Sequence, residues 1–266
     1  MPSNSPAHHT KHIKNLIYSF NNSSFILSQQ DNGISNGTAL WLGGQCLTYY
    51  LAAFWDKSNQ STRPKAIELG SGIGLTALAL NSFGWDVLAT DISHVIDSVL
   101  EANIKTNLPQ NSGTIQVREL DWTVHPDKWC WNNQKIIASQ KDFSSDINPS
   151  EPLLSPPFDL IYSADTVYLI ELVDPLLRTL HALSVLSAAS SNRYPVILLC
   201  IERRDPALVD HLLGQAKQKW SFAVERIPPR KLSKVMEKSG NNWDKSEWEG
   251  VELWKLKLVS TNCNDL

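Results

Sequence analysis

Glu68 precedes glycines at positions 70, 72 and 74, and this acid with three alternating glycines is where residue types and spacing first point to chemistry. A strand ending at Glu68 that turns through Gly70 and Gly72 into Leu75-Thr76-Ala77-Leu78-Ala79-Leu80 puts bare backbone at a helix N-terminus. Adenosine-containing molecules bind such turns; a plain strand-to-helix turn is the bland alternative. A dinucleotide fingerprint, G-x-G-x-x-G, needs a third glycine at position 75, where this chain has Leu75, so the fit to NAD is imperfect. Two more acids stand at later strand ends. Asp91 closes Trp85-Asp86-Val87-Leu88-Ala89-Thr90-Asp91, about 20 residues past the first glycine, where a carboxylate can accept both ribose hydroxyls. Its competing role is a helix N-cap. Asp121-Trp122 ends a third strand, where Asp121 can reach an adenine amino group and Trp122 can cover the ring, a stacking worth on the order of 1 kcal/mol. Core packing is the alternative for Trp122.

The elements that must hold these residues alternate. A helix follows Thr38 through Trp55, then come the first glycine-bearing strand and its helix, the Asp91 strand, a helix over about 94–107 stopped by Pro109, and the strand Thr114 to Leu120. This β-α-β-α-β order predicts an α/β fold with a mostly parallel sheet and right-handed crossovers. Further strands are expected at 158–163, 196–201, 222–227 and 251–258, seven in all, with helices near 172–186 and 206–220. An alternating pattern over 17–27 predicts strands of an N-terminal hairpin, with Asp31-Asn32-Gly33 or Asn36-Gly37 supplying turns. Residues 126–157 are polar and carry five prolines, so they read as an inserted loop, with disorder favoured over function. The organisation is therefore an N-terminal extension over 1–36, mobile over its first 15 residues, one domain over 37–260 and a tail at 261–266.

Composition excludes several classes. With 266 residues the chain can bury a large single core, and a net charge of −3 with dispersed Lys and Arg argues against a nucleic-acid footprint. The four cysteines, Cys46, Cys130, Cys200 and Cys263, are far apart, with no C-x-x-C and no histidine at zinc spacing, so neither a metal site nor a disulfide framework is expected. His94, His125, His181 and His211 have no matched partners in sequence. The polar N-terminus lacks an apolar signal segment, and no run is long enough to span a bilayer. A cytoplasmic monomer is the expectation.

The acid before G-x-G-x-G, Thr90-Asp91, Asp121-Trp122 and Asp159-Leu160-Ile161 with Ala164-Asp165-Thr166-Val167-Tyr168 together resemble the lysine methyltransferase-like family of seven-strand S-adenosylmethionine-dependent methyltransferases. The resemblance covers roughly residues 37–260. It implies a Rossmann-like seven-strand fold with an antiparallel C-terminal strand, and a protein substrate such as elongation factor 1A or a chaperone. It also implies S-adenosylmethionine contacts from Trp41, Gly70, Ser71, Gly72, Asp91, Trp122 and Ala164, to which the residue reading adds Glu68 and Asp121. One departure is local: the family shows Pro or Asp after the tryptophan, whereas this chain has Trp41-Leu42-Gly43-Gly44-Gln45.

Methyl transfer from a sulfonium needs an in-line approach, a dry site and a neutral nucleophile. A lysine amine is difficult to supply neutral, because losing its proton near neutral pH costs about 4 kcal/mol. Asp165 is expected to bind and orient the incoming ammonium and Tyr168 to line its channel; the structural alternatives are an N-cap and a packing residue. Two other functions stay open at this point, a methyltransferase of a small molecule or RNA and a catalytically silent scaffold. The intact Glu68, Gly70, Gly72 and Asp91 set weighs against the scaffold.

Overall fold

The computed structural model describes residues 4–21, 23–30, 36–55, 63–108, 113–142 and 152–259. A short helix, α1 (Ala7–Thr10), precedes a two-stranded hairpin, β1 (Asn15–Phe20) and β2 (Ser23–Ser28). Its turn falls at Asn21, which has positive φ, instead of at the later glycines: Asn36–Thr38 form a 3-10 turn, and 31–33 lie outside the described residues. The chain then runs α2 (Leu42–Phe54), β3 (Lys65–Leu69), α3 (Leu75–Ser82), β4 (Asp86–Asp91), α4 (Ser93–Val95), a π-helical stretch Ile96–Leu100, α5 (Glu101–Asn107) and β5 (Ile115–Leu120). The second half adds β6 (Ile136–Ala138), β7 (Leu160–Ala164), α6 (Val173–Ser191), β8 (Val196–Glu202), α7 (Pro206–Gln218), β9 (Phe222–Arg226), α8 (Pro229–Lys238) and β10 (Val251–Leu258).

Eight strands form one sheet in the order β6-β5-β4-β3-β7-β8-β10-β9. The α/β expectation is borne out: neighbours from β6 to β8 pair in parallel, and β10 pairs antiparallel with both β8 and β9. Alternation along each strand supplies two cores. Ala66, Val87, Ala89, Leu160, Tyr162 and Leu198 face the layer holding α2 and α3, while Ile67, Leu69, Leu88, Ile161, Ile197 and Leu199 face α6 and α7. The strand order reverses between β3 and β7, and the C-terminal edge at such a switch point is where ligands of open α/β sheets collect. Among the described residues no helix is long and apolar enough to cross a membrane.

Residues 126–157 are less loop-like than their composition predicts. They contain the edge strand β6, an eighth strand beside the seven read from sequence. Arg118 on β5 explains how it is held. Its side chain is 0% exposed; Nη1 donates to the carbonyls of Trp131 (3.2 Å) and Asn133 (3.4 Å), and Nη2 donates to the Leu154 carbonyl. One guanidinium thus fastens both limbs of the segment to the sheet. Burial lowers its pKa to about 10, which still leaves it charged at neutral pH. Residues 143–151 lie outside the described residues.

The N-terminal extension is also anchored over its described part. Asn4 Nδ2 donates to the Ser19 carbonyl and to Tyr49 Oη, and the Trp243 indole donates to the Asn4 carbonyl. Asn103 of α5 grips the hairpin by exchanging bonds with Ser28 N–H and C=O, and also donates to the Ile73 carbonyl beneath the glycine turn.

Replacing Arg118 by Met keeps much of the volume but removes the donor that three carbonyls share, so folding should weaken by about 2–4 kcal/mol. Urea midpoints measure this, and hydrogen exchange should rise first in residues 131–138. An unchanged midpoint would show that the segment is held by other contacts.

Candidate active site

The glycine turn is stitched to the neighbouring strand by backbone bonds. Gly70 and Ser71 N–H both donate to the Thr90 carbonyl, at 3.0 and 2.9 Å, and Thr90 Oγ1 donates to the Glu68 carbonyl. Gly72 N–H donates to Asp91 Oδ2 at 2.9 Å, and Ile92 N–H to Asp91 Oδ1 at 2.9 Å. Gly70 has φ +73°, and a Cβ there would lie 2.5 Å from Thr166 Cγ2 and 3.5 Å from the Trp122 ring. Only glycine permits this backbone and this approach together.

The two acids behave differently. Glu68 is 1% exposed and lies beneath the turn, where burial raises its pKa to about 8 and the Asp91 charge adds to the rise. Hydroxyls of Ser71, Thr76 and Tyr162 face it and oppose the shift, but Glu68 Oε2, Ser71 Oγ and Tyr162 Oη are buried without a well-formed hydrogen bond. Glu68 is therefore mostly a neutral acid at pH 7. Burial also raises Asp91, to about 6, against the pull of the Gly72 and Ile92 amides, so Asp91 is mostly ionised at pH 7. One negative charge, not two, faces the crevice side of the turn.

Trp122 lies against Gly70, and its indole N–H is buried with no partner. The Trp122 carbonyl accepts from Arg178 Nη2 at 2.8 Å, which fixes the loop after β5. Asp121 Oδ1 accepts from the backbone N–H and the hydroxyl of Thr123, so this carboxylate caps its own turn. Ser163 Oγ lies 2.7 Å from the Leu69 carbonyl and 2.6 Å from Thr166 Oγ1, tying β7 to the end of β3. Ala164 is the last residue of β7 and is half-buried.

Asp165 follows with φ +53° and a side chain 5% exposed. Oδ2 accepts from Gly43 N–H at 2.6 Å, in the first turn of α2, and Oδ1 accepts from Glu202 N–H at 2.8 Å, at the end of β8. Burial raises its pKa despite these donors and Arg204 at 4.0 Å. A Cβ on residue 43 would fall 2.6 Å from the carboxylate, which accounts for the glycine in the unusual Trp41-Leu42-Gly43-Gly44 run. Trp41 directly precedes α2; its indole donates to the Asn36 carbonyl at 2.6 Å, and Lys11 Nζ and Arg204 Cζ lie 3.3 and 4.5 Å from its ring centroid. Tyr168 follows β7 and is 47% exposed; partial burial and, after it, the Asp91 charge raise its pKa.

Gly70, Gly72, Asp91 and Trp122 thus come together at the C-terminal ends of β3 to β5, and Asp165 and Trp41 meet Arg204 beside the start of α2. Glu68 supports the turn from below. Sequence reading did not single out Thr90, Asn103, Ser163, Thr166 or Arg204. Thr90 and Thr166 do stand next to acids that it named, and that adjacency was the available signal. A buried carboxylate, an aromatic wall with a waiting N–H and close backbone suit a nucleoside-bearing ligand.

The family described as lysine methyltransferase matches residues 20–145. Methyltransferase-like protein 22 of Homo sapiens is 24% identical over 232 residues, covering 83% of this chain and 54% of that protein. Protein-lysine methyltransferase METTL21E of Mus musculus is 28% identical over 144 residues, covering 54% of this chain and 50% of that protein. Protein N-lysine methyltransferase METTL21A of Danio rerio is 29% identical over 164 residues, covering 61% and 59%. The chain spans about half the length of these relatives. A solved Streptococcus mutans protein assigned to the S-adenosylmethionine-dependent methyltransferases superposes with a TM-score of 0.51 at 11% identity, covering 92% of this chain and 56% of that one, a likeness of fold. The resemblance read from the sequence is borne out.

Both buried acids hold their protons more tightly folded than unfolded, so raising the pH weakens folding. For Glu68 the window runs from its ordinary value of 4.5 to about 8. Glu68→Gln removes that dependence: between pH 5 and 8 its unfolding free energy should fall by roughly 3 kcal/mol less than that of the unsubstituted protein. Denaturant titrations at three pH values measure the difference, and parallel pH curves would show that Glu68 is ionised in the fold.

Proposed function

We propose that this relative of the protein-lysine methyltransferases transfers a methyl group from S-adenosylmethionine to a lysine of a protein substrate. The observation that carries the reading is the convergence of the glycine turn, Asp91 and Trp122 at the C-terminal edge of the sheet. Bound S-adenosylmethionine would supply an electrophilic methyl on a sulfonium. Gly70, Ser71 and Gly72 let backbone approach the methionine and ribose portions, Asp91 accepts the ribose hydroxyls, and Trp122 covers the base with Asp121 and Ala164 beside it. Glu68 keeps the turn in shape. Trp41 borders the cofactor from the start of α2.

The amine must arrive neutral, and its deprotonation costs about 4 kcal/mol in water, which an apolar channel offsets in part. Tyr168 lines that channel. Asp165, already accepting two backbone N–H bonds, orients the ammonium with its remaining lone pairs and holds Gly43 and Glu202 in register while doing so. The exposed run Tyr168, Leu169 and Ile170, with Ile92 nearby in chain order after Asp91, supports a macromolecular substrate with an apolar surface. We take elongation factor 1A as the first candidate and a chaperone as the second, met by a monomer in the cytoplasm.

Incubation with radiolabelled cofactor and a cell extract tests this reading, with the labelled species identified by mass spectrometry. Label on a protein lysine supports it. Label on RNA, or no labelling together with no calorimetric cofactor binding, overturns it. Asp91→Asn should weaken cofactor binding about 10- to 100-fold, the worth of a charged hydrogen-bonding partner. In the unsubstituted protein affinity should drop as the pH falls below about 6, because Asp91 then protonates. Asp165→Asn should lower the turnover of the protein substrate with little change in cofactor affinity; equal losses of both would leave Asp165 only a bracing role.

A further inference from the structure

We propose that His8, His9 and Glu247 form a binding site for a divalent transition-metal ion, zinc by its chemistry, that fastens the N-terminal segment to the turn before β10. The two histidines lie on α1, and Glu247 closes the 3-10 turn Lys245–Glu247. One donor atom from each of the three residues falls within 4.8 Å of the others. His8 Nε2 is 2.6 Å from Glu247 Oε2, and His9 Nε2 is 3.5 Å from Glu247 Oε1. Adjacent residues on a helix diverge by about 100°, so two neighbouring imidazoles meeting one carboxylate is not what helical geometry alone produces.

Two imidazoles and a carboxylate are the donor set of a borderline ion; calcium and magnesium prefer oxygen alone. Ligand distances of about 2.0–2.2 Å set tetrahedral donors roughly 3.4 Å apart. His9 Nε2 and Glu247 Oε1 already stand at about that separation, and His8 Nε2, hydrogen-bonded to Oε2, would draw back to admit the ion. Exposure of both histidines leaves room for water as the fourth ligand.

Both halves of the site are held in place by other contacts. Ala7 N–H donates to Gln45 Oε1 at 2.7 Å, Gln45 Nε2 donates to the Ser5 carbonyl at 3.0 Å, and Gln45 is buried in α2. Glu247 N–H donates to the Asp244 carbonyl at 3.0 Å. His8 also lines a cavity of about 230 Å³ with Lys11, Trp41, Glu202 and Arg204. A bound ion holds the N-terminal wall of that cavity beside the Asp165 junction. The inference does not depend on the transfer reaction.

The 266-residue chain without a histidine tag, stripped with a chelator, is titrated with zinc chloride in a calorimeter and with cobalt(II) in a spectrophotometer. One ion per chain and tetrahedral cobalt bands are expected. Glu247→Gln and the double variant His8→Ala/His9→Ala should each weaken binding at least tenfold and lose the bands while keeping the circular dichroism of the fold. His125→Ala, a surface histidine elsewhere, should bind as before. No saturable binding below ~100 µM, or equal binding by Glu247→Gln, would overturn the proposal and leave the three groups as hydrogen-bonded neighbours.

Discussion

Everything in the crevice depends on how the turn after β3 is pinned to β4. Two N–H groups share the Thr90 carbonyl and a third reaches the Asp91 carboxylate, so the turn cannot shift without moving the acid. That coupling makes Asp91 at once a structural acceptor and the charged group available to a ligand. It also explains the glycine at 70, since its φ is positive and Thr166 stands too close for any Cβ. Ser163 then ties the next strand to the same point through the Leu69 carbonyl.

Charge is distributed with the same economy. A neutral Glu68 below the turn and an ionised Asp91 above it avoid two adjacent negative charges in a low-dielectric crevice. Asp165, like Asp91, accepts two backbone N–H groups, but one of them lies in the first turn of α2, where the helix dipole favours an anion. Three carboxylates with three environments can therefore take three different parts in one site.

The extensions are integral to the domain. Arg118 holds the segment after β5 by donating to its carbonyls, and Gln45 and Tyr49 of α2 hold the N-terminal residues. Both segments were read from composition as loose, because polar residues and prolines mark them as poor at building a core. What composition does not register is a single buried donor or amide in a distant element that satisfies their backbone.

Alternating glycines, acids at strand ends and an apolar period of two are local signals, and from them the chain by itself determined the α/β order, the parallel sheet and the position of the turn. Backbone conformation and strand exposure depend on neighbouring residues, so such patterns survive in a linear reading. Only the tertiary structure decided that Asp165 meets Gly43, 122 residues away, that Lys11 and Arg204 flank Trp41, that the edge strand β6 extends the sheet, and that His8 and His9 face Glu247. Those contacts depend on which ends the crossovers bring together, and side-chain burial and pKa follow from that meeting, not from any residue's neighbours in the chain.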